Sequence, residues 1–186
     1  RMLSLCETLS LPFVAQGYAV ASQEAAEKET AYSDFLEGLL RTEAAGRQVR
    51  KQTMLTRLAG FPAIKTLDDF DYQFAAGVKK SQIDELAGLG FVERHENVVL
   101  VGPSGVGKTH LATALGYAAC QRGHSVLFAS AVDIVNTLIA AQLAGHLKRD
   151  LRRSLRPRIL IIDELGYLPI DKAGADLLFQ IISQRY

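Results

Sequence analysis

The chain has little of what marks secreted or metal-binding proteins. Tryptophan is absent, and the only two cysteines, Cys6 and Cys120, lie far apart in the sequence. Two distant cysteines predict reduced thiols in a cytosolic protein rather than a disulfide framework. The four histidines are scattered and have no His or Cys partner at the spacing that metal ligands need. The composition therefore argues against a disulfide scaffold and against a histidine-based metal centre.

Long apolar runs are also absent. No run approaches the roughly 18 residues that a membrane-spanning helix requires. The first 21 residues, RMLSLCETLSLPFVAQGYAVA, faintly imitate a signal peptide, but Glu7, Ser10 and Pro12 interrupt the apolar part. The sequence therefore predicts a cytoplasmic location and no membrane partner.

Two changes of composition divide the chain into three predicted parts. Residues 1–60 are rich in helix-forming side chains, and Pro12 suits the first turn of a helix. The turn-forming residues 60–62 (Gly-Phe-Pro) end this all-helical N-terminal domain, which we expect to serve assembly or contact with DNA or a partner. Residues 61–97 form a predicted linker with one short helix at 81–89, and residues 98–186 form the predicted core.

Three short apolar runs in the core predict buried strands. They are VVLV (98–101), VLFA (126–129) and ILII (159–162), and they lack polar alternation, which is typical of strands covered on both faces. Helical stretches follow each run, at 108–121, 131–154 and 171–185. This order predicts an α/β fold in which helices sandwich a parallel sheet.

The first predicted strand leads into GPSGVGKTH, which has the G-x-x-x-x-G-K-T pattern of a P-loop. Glycines let such a loop wrap a phosphate with its amides pointing inward, and the next helix directs its positive end at the anion. Lys108 is expected to reach the β- and γ-phosphates of ATP, and Thr109 to ligate Mg²⁺. His110 is expected to be a helix-surface residue rather than a catalyst. The predicted nucleotide-binding residues are Gly102, Pro103, Ser104, Gly105, Val106, Gly107, Lys108, Thr109 and His110.

Two adjacent carboxylates, Asp163 and Glu164, follow the third apolar run. In a P-loop protein, the aspartate at such a strand end helps to hold Mg²⁺ through water. Glu164 would then polarise the attacking water as general base, with Lys108 as the second catalytic residue. A small-molecule kinase needs no such base, because its substrate brings its own hydroxyl. The pair therefore favours an ATP hydrolase.

The linker carries the aromatic phrase LDDFDYQF, with Phe70, Tyr72 and Phe74. These rings would either pack beside the adenine or anchor the linker to the core, and the sequence does not decide between the two.

Basic residues are concentrated locally, since the formal net charge of the chain is only +1. One stretch covers residues 41–57, and the other is HLKRDLRRSLRPR at 146–158. Nothing resembles a base-reading motif, so contact with DNA would be made to phosphates. The alternative is a solvated helix face or salt bridges to a neighbouring subunit. The candidate DNA-binding residues are Arg47, Arg50, Lys51, Lys148, Arg149, Arg152, Arg153 and Arg156.

Four stretches together resemble one family of ATPases. They are AYSDFLEGLL (31–40), GFPAIKTLDDFDY (60–72), LVGPSGVGKTHLATALGYAA (100–119) and ILIIDELGYLPID (159–171). The chain is similar over nearly its whole length to the IstB-like ATPases of bacterial insertion sequences and to the DnaC-type helicase loaders. Both groups belong to the AAA+ superfamily of P-loop NTPases.

The resemblance implies a bacterial, ATP-dependent homo-oligomer on duplex DNA. Such a protein would select or remodel target DNA and stimulate a transposase. The AYSDFLEGLL segment favours this reading over the alternative, a helicase loader. A third hypothesis from another class is a scaffold in which ATP acts as a switch for assembly and hydrolysis is incidental.

The resemblance also implies either a longer protein or a domain that is completed by another segment. The family's next strand, its sensor residue, its arginine finger and its lid would follow residue 186. That strand would lie between the first and third strands, so the sheet would have two unpaired apolar edges without it. Arg185 lies on the helix before the expected strand and is therefore a poor candidate for the arginine finger.

Overall fold

The computed structural model describes residues 1–73, 75, 77–167 and 172–185. The chain divides into two compact units, Arg1–Thr53 and Met54–Tyr186. The division into parts 1–60, 61–97 and 98–186 stays a prediction. No helix in the described part of the chain is both long and apolar enough to cross a bilayer.

The first unit is built from helices, as the composition predicts. Its elements are α1 (Met2–Thr8), α2 (Pro12–Glu27) and most of α3 (Tyr32–Leu58). Pro12 occupies the first turn of α2, where its missing N–H costs nothing. Ser10 takes a positive φ of 54° between α1 and α2, and the Leu11 N–H donates to the Cys6 carbonyl, which ends α1.

A buried carboxylate links α2 to α3. The Glu43 side chain accepts the N–H groups of Phe13 and Val14, at 2.9 and 3.0 Å, and the Nε–H of Arg47 at 2.7 Å. It thereby satisfies two N–H groups that the first turn of α2 leaves without a helical partner. Burial raises the pKa of Glu43, but the hydrogen bonds from Arg47, Val14 and Phe13 together hold it below its ordinary value of 4.5.

We expect Glu43→Ala to lower the thermal unfolding midpoint by several degrees, because two buried amides and Arg47 lose their acceptor. Glu37→Ala is the matched control, since Glu37 is a more exposed carboxylate paired with Arg41 on the same helix. A lowered pKa stabilises the fold above the unfolded-state pKa, and this contribution is lost as pH falls through the folded-state value. The difference between wild type and Glu43→Ala should therefore narrow below about pH 4.5. Equal midpoints for the two variants in circular dichroism melts would contradict this role.

The second unit contains a parallel sheet of two strands among the described residues. Strand β1 (Val126–Ser130) pairs with β2 (Ile159–Asp163), in register from Val126 opposite Ile159 to Ser130 opposite Asp163. Both strands were predicted. The helices of this unit are α4 (Lys80–Ala87), α5 (Gly90–Glu93), α6 (Lys108–Gln121), α7 (Ala131–Leu143), α8 (Leu147–Leu155) and α9 (Lys172–Arg185), with a 3₁₀ turn at Leu165–Tyr167.

The sheet is covered on both faces. Along β2, Leu160 and Ile162 pack against a cluster formed by α7, α8 and α9. Ile159 and Ile161 pack against a second cluster that includes Ala119 on α6. This two-sided burial explains why ILII carries no polar alternation.

The predicted strand at 98–101 is wrong. This segment joins neither strand of the described sheet, and Val99 and Val101 are 78% and 90% exposed. An apolar, β-branched run favours extended backbone, but a strand also needs a neighbour for its N–H and C=O groups. Leu100 alone packs inward, against a third cluster formed by the linker, α4 and α6.

The single helix predicted at 131–154 is two helices. Gly145 takes a positive φ of 74°, and its N–H donates to the Gln142 carbonyl while that of His146 donates to the Ala141 carbonyl. These two bonds form a Schellman motif, which ends α7. The chain then starts α8 in a new direction. The last helix begins at Lys172, and residue 171, where it was predicted to begin, lies outside the described residues.

Candidate nucleotide-binding site

The phosphate-binding candidate is the loop that precedes α6. Gly105 and Gly107 both take positive φ values, 81° and 92°, a conformation that glycine adopts at little cost. A Cβ atom at Gly107 would lie 2.6 Å from the Phe70 ring, so this position excludes larger residues for two reasons. Lys108 begins α6 directly after this glycine. The loop therefore presents the N-terminus of a helix, as the motif predicts.

The two sequence motifs meet in space. The Thr109 hydroxyl donates a hydrogen bond to the Asp163 carboxylate, with 2.9 Å between the oxygens. Close packing of α6 on the sheet makes this contact possible, because a Cβ at Gly116 would lie only 2.6 Å from Cδ1 of Ile161. The first turn of α6 thus reaches the carboxyl end of β2.

The paired oxygens fit a magnesium ion. Hydroxyl and carboxylate oxygens are the hard ligands that Mg²⁺ prefers, and this ion usually keeps several waters beside one or two protein ligands. Thr109 and Asp163 are the residues that would hold it, and their role as metal ligands stays a prediction. The donor set holds no sulfur or imidazole that would favour a softer metal.

Lys108 reaches back across the loop. Its ammonium group donates to the carbonyls of Gly102 and Pro103, at 2.8 and 2.5 Å. The positive charge is therefore held against the loop backbone, next to the amides that would face a phosphate. A phosphate oxygen that enters the loop can take over these hydrogen bonds and would make them stronger, because both partners are then charged.

Glu164 follows Asp163 with a positive φ of 58° and an exposed side chain. Few residues other than glycine adopt this conformation, and it costs free energy that surrounding structure must supply. The turn ends β2 and separates the two carboxylates, so that Asp163 engages Thr109 while Glu164 faces solvent. This division suits one carboxylate for the metal and the other for a water molecule.

His110 contacts the linker. Its Nε2 lies 2.9 Å from the Thr66 carbonyl oxygen, and its ring meets the edge of Phe70 with centroids 5.3 Å apart. Phe70 is buried with Leu111 and packs against Tyr72. These contacts favour the core-anchor interpretation for Phe70 and Tyr72, while Phe74 lies outside the described residues. The role of His110 in nucleotide binding stays a prediction.

The eight candidate DNA-binding residues lie on two helices. Arg47, Arg50 and Lys51 belong to α3, and Arg47 is engaged by Glu43 and by the Ser10 carbonyl. The other five lie on α8 or at its C-cap, and all are exposed. They are Lys148, Arg149, Arg152, Arg153 and Arg156.

Comparison with known proteins places the chain in a family of ATP-binding proteins. The model of the IstB-like ATP-binding proteins matches residues 4–186. The chain is 40% identical over its whole length to a protein of Geobacillus stearothermophilus whose name assigns it ATP binding within insertion sequence IS5376. A similarly named IS21 protein of Pseudomonas aeruginosa is 44% identical over 88% of the chain, and an IS232 protein of Bacillus thuringiensis is 41% identical over 82%.

The chain spans 74% of the length of the Geobacillus relative and 62% of each of the other two. The family match over residues 4–186 includes the glycine loop, Thr109 and Asp163. It confirms the resemblance drawn from the four sequence stretches, and the chain belongs to the IstB-like ATP-binding proteins.

Proposed function

We propose that this ATP-binding protein is a Mg²⁺-dependent ATPase that assembles on duplex DNA and assists transposition. The observation that carries the enzymatic part is the 2.9 Å contact between Thr109 and Asp163, which joins the phosphate loop to a carboxylate pair. A phosphate loop alone would support only the binding of ATP. An aspartate that can hold the metal, followed by an exposed glutamate, supports hydrolysis of ATP as well.

Each residue has a separate task in the proposed reaction. The loop amides and the start of α6 bind the β- and γ-phosphates, and Lys108 neutralises the charge that moves onto their oxygens. Mg²⁺ supplies further charge neutralisation when it is bound through Thr109 and Asp163. Glu164 orients a water molecule for in-line attack on the γ-phosphorus and accepts its proton, while the bond from that phosphorus to the bridging oxygen breaks and ADP leaves.

The role in transposition rests on the relatives. Those compared are all named as ATP-binding proteins of insertion sequences, which favours transposition over helicase loading. The proposed partners are duplex DNA, further copies of the same chain and a transposase. We also propose the AAA+ form of the P-loop fold, with a small all-helical N-terminal domain, and the two-sided cover of the described sheet supports it.

We expect Asp163→Asn to reduce ATP turnover at least roughly 100-fold and to raise the Mg²⁺ concentration needed for half-maximal rate, because one charged ligand is lost. Asp176→Asn is the matched control, since Asp176 is an exposed aspartate on α9. The measurement is phosphate release as a function of Mg²⁺, with and without duplex DNA. Wild-type turnover in Asp163→Asn would refute the proposed metal site.

The dependence of oligomer formation on duplex DNA distinguishes a transposition helper from a nucleotide-controlled scaffold. If the protein is a transposition helper, size-exclusion chromatography with ATP should show oligomers that form only when duplex DNA is present. Oligomers that form equally well without DNA would instead favour a nucleotide-controlled scaffold.

A further inference from the structure

A cavity of about 850 Å³ opens in the second unit, away from the phosphate loop. Four arginines line it: Arg149, Arg152, Arg153 and Arg156. The rest of its wall is mostly apolar and comes from α3, β1 and the approach to β2. Those residues are Leu55, Leu58, Ser125, Val126, Leu127 and Pro157. We infer that this arginine cavity is where the protein grips the phosphate backbone of duplex DNA.

The inference rests on the proposed function and makes it specific. The sequence leaves two basic stretches as equal candidates, and the structure separates them. The separation depends on three features: how α8 is oriented, which arginines already have partners, and where the cavity lies relative to the nucleotide site.

Helix α8 is strongly amphipathic, with one apolar face and one basic face. Leu151 is buried in the cluster shared with α7 and α9, and Leu147 and Leu155 pack against the same cluster. These three leucines recur every four residues, so they fix one face of the helix inward. Arg152 and Arg153 are therefore directed outward, and both are exposed.

The outward arginines have no competing partners among the residues that the structure describes. Within the described residues, Arg152, Arg153 and Arg156 make no side-chain ion pair or hydrogen bond, whereas Arg149 contacts Asp150 at 3.4 Å. On α3 two of the basic residues are already neutralised, because Arg41 pairs with Glu37 and Arg47 with Glu43. Arg50 and Lys51 of α3 are exposed, but the lining of the cavity does not include them. A concave cluster lets several guanidinium groups approach neighbouring phosphates together, which isolated charges on a helix surface do not.

The end of α8 is held in place by an internal arginine. Arg185 donates to the carbonyls of Ser154, Leu155, Pro157 and Arg158, at 2.9 to 3.2 Å. These contacts satisfy carbonyls that the helix end would otherwise leave free. They engage the Arg185 guanidinium within the chain, and its exclusion as an arginine finger stays a prediction. The arginine cavity is therefore carried on an anchored helix, which lowers the conformational entropy lost on binding.

The cavity lies at the opposite end of the sheet from the nucleotide site. Its wall includes Ser125, Val126 and Pro157, at the starts of the two strands, whereas Asp163 stands at the end of β2. A strand of this length spans roughly 13 Å from its first to its last Cα atom. The cavity is therefore separate from the ATP-binding loop, and substitutions in it should leave ATP binding intact.

The test compares two matched double variants, Arg152→Gln/Arg153→Gln on α8 and Arg50→Gln/Lys51→Gln on α3. Each removes two exposed, adjacent positive charges. Binding to a fluorescent duplex without sequence preference is measured by anisotropy, with ATP, at several salt concentrations. The α8 variant should bind roughly tenfold more weakly or worse near 0.1 M salt, and its log–log salt slope should fall by about 0.9 for each lost phosphate contact. The α3 variant should match wild type.

Three results would overturn the assignment. One is an unchanged affinity and salt slope in the α8 variant, and another is an equal loss in the α3 variant. The third result comes from measuring binding of inorganic tripolyphosphate. A loss of affinity for tripolyphosphate but not for the duplex in the α8 variant would show that the cavity binds free polyphosphate instead of DNA. ATP affinity and thermal midpoint of each variant verify folding. A wild-type protein that hydrolyses ATP but binds no duplex would refute the proposed DNA function itself, and the cavity assignment with it.

Discussion

Lys108→Ala is expected to weaken ATP binding by roughly ten- to a hundred-fold, the range for losing hydrogen bonds to a charged group. Turnover should fall further, by roughly 10²–10³ or more, because the ammonium group also stabilises charge that develops during phosphoryl transfer. Among the described residues, the Lys108 ammonium group donates only to carbonyls of its own loop, at Gly102 and Pro103. The variant should therefore fold normally, and the loss should appear only when nucleotide is present.

Lys172→Ala provides the matched control for Lys108→Ala, because Lys172 is exposed at the first residue of another helix, α9. Binding is measured by isothermal titration with ATP and Mg²⁺, and turnover by phosphate release. If Lys108→Ala bound and hydrolysed ATP as Lys172→Ala does, the loop before α6 would not be the phosphate site.

The sequence predicts the local geometry of the candidate nucleotide site because the chemistry of a phosphate loop constrains short, contiguous stretches. Gly105 and Gly107 are predicted from the need for unusual backbone conformations, and both have positive φ. The meeting of Thr109 and Asp163, 54 positions apart, follows from placing one at a helix start and the other at a strand end. Both inferences depend on local geometry that the residue types themselves impose.

The prediction of a strand at 98–101 was wrong because strand formation does not depend on residue type alone. Residue type sets a preference for extended backbone, while strand pairing depends on a second segment that the run itself does not specify. The division of the helix at 131–154 was within reach of the sequence. Gly145 is the residue most typical of a helix C-terminus, and Lys148 onwards begins a separate, strongly basic pattern.

Features that join distant side chains could not be read from the sequence. Glu43 accepts the N–H groups of Phe13 and Val14 only because the tertiary fold brings these residues together. The contact of His110 with Thr66 depends on the tertiary fold in the same way. One feature of the arginine cavity can be predicted from the sequence, and the others cannot. The spacing of Arg149, Arg152, Arg153 and Arg156 predicts a positive stripe. Only the structure shows the apolar residues that line the same cavity, and that three of these arginines have no side-chain partner in the described part of the chain.

Glu164→Gln should leave ATP affinity within about twofold of wild type while turnover falls by roughly 10²–10⁴, the range attributed to a general base. Glutamine keeps the size of the side chain but cannot accept the proton of the attacking water. Asp163, Thr109 and Lys108 are unchanged in this variant, so the phosphates and Mg²⁺ should still bind. The variant should consequently hold ATP and accumulate in the ATP-bound form, which also makes it suitable for the assembly measurement.

Glu29→Gln is a close control, because Glu29 is an exposed glutamate that also takes a positive φ, 49° against 58° for Glu164. The two variants make the same chemical change in a similar backbone conformation, but Glu164 directly follows Asp163, whereas Glu29 belongs to the first unit. Single-turnover phosphate release separates the chemical step from nucleotide binding. Turnover in Glu164→Gln equal to that in Glu29→Gln would remove Glu164 from the reaction. A parallel loss of affinity and turnover would assign it to nucleotide binding instead, because a general base acts on the water and not on the bound triphosphate.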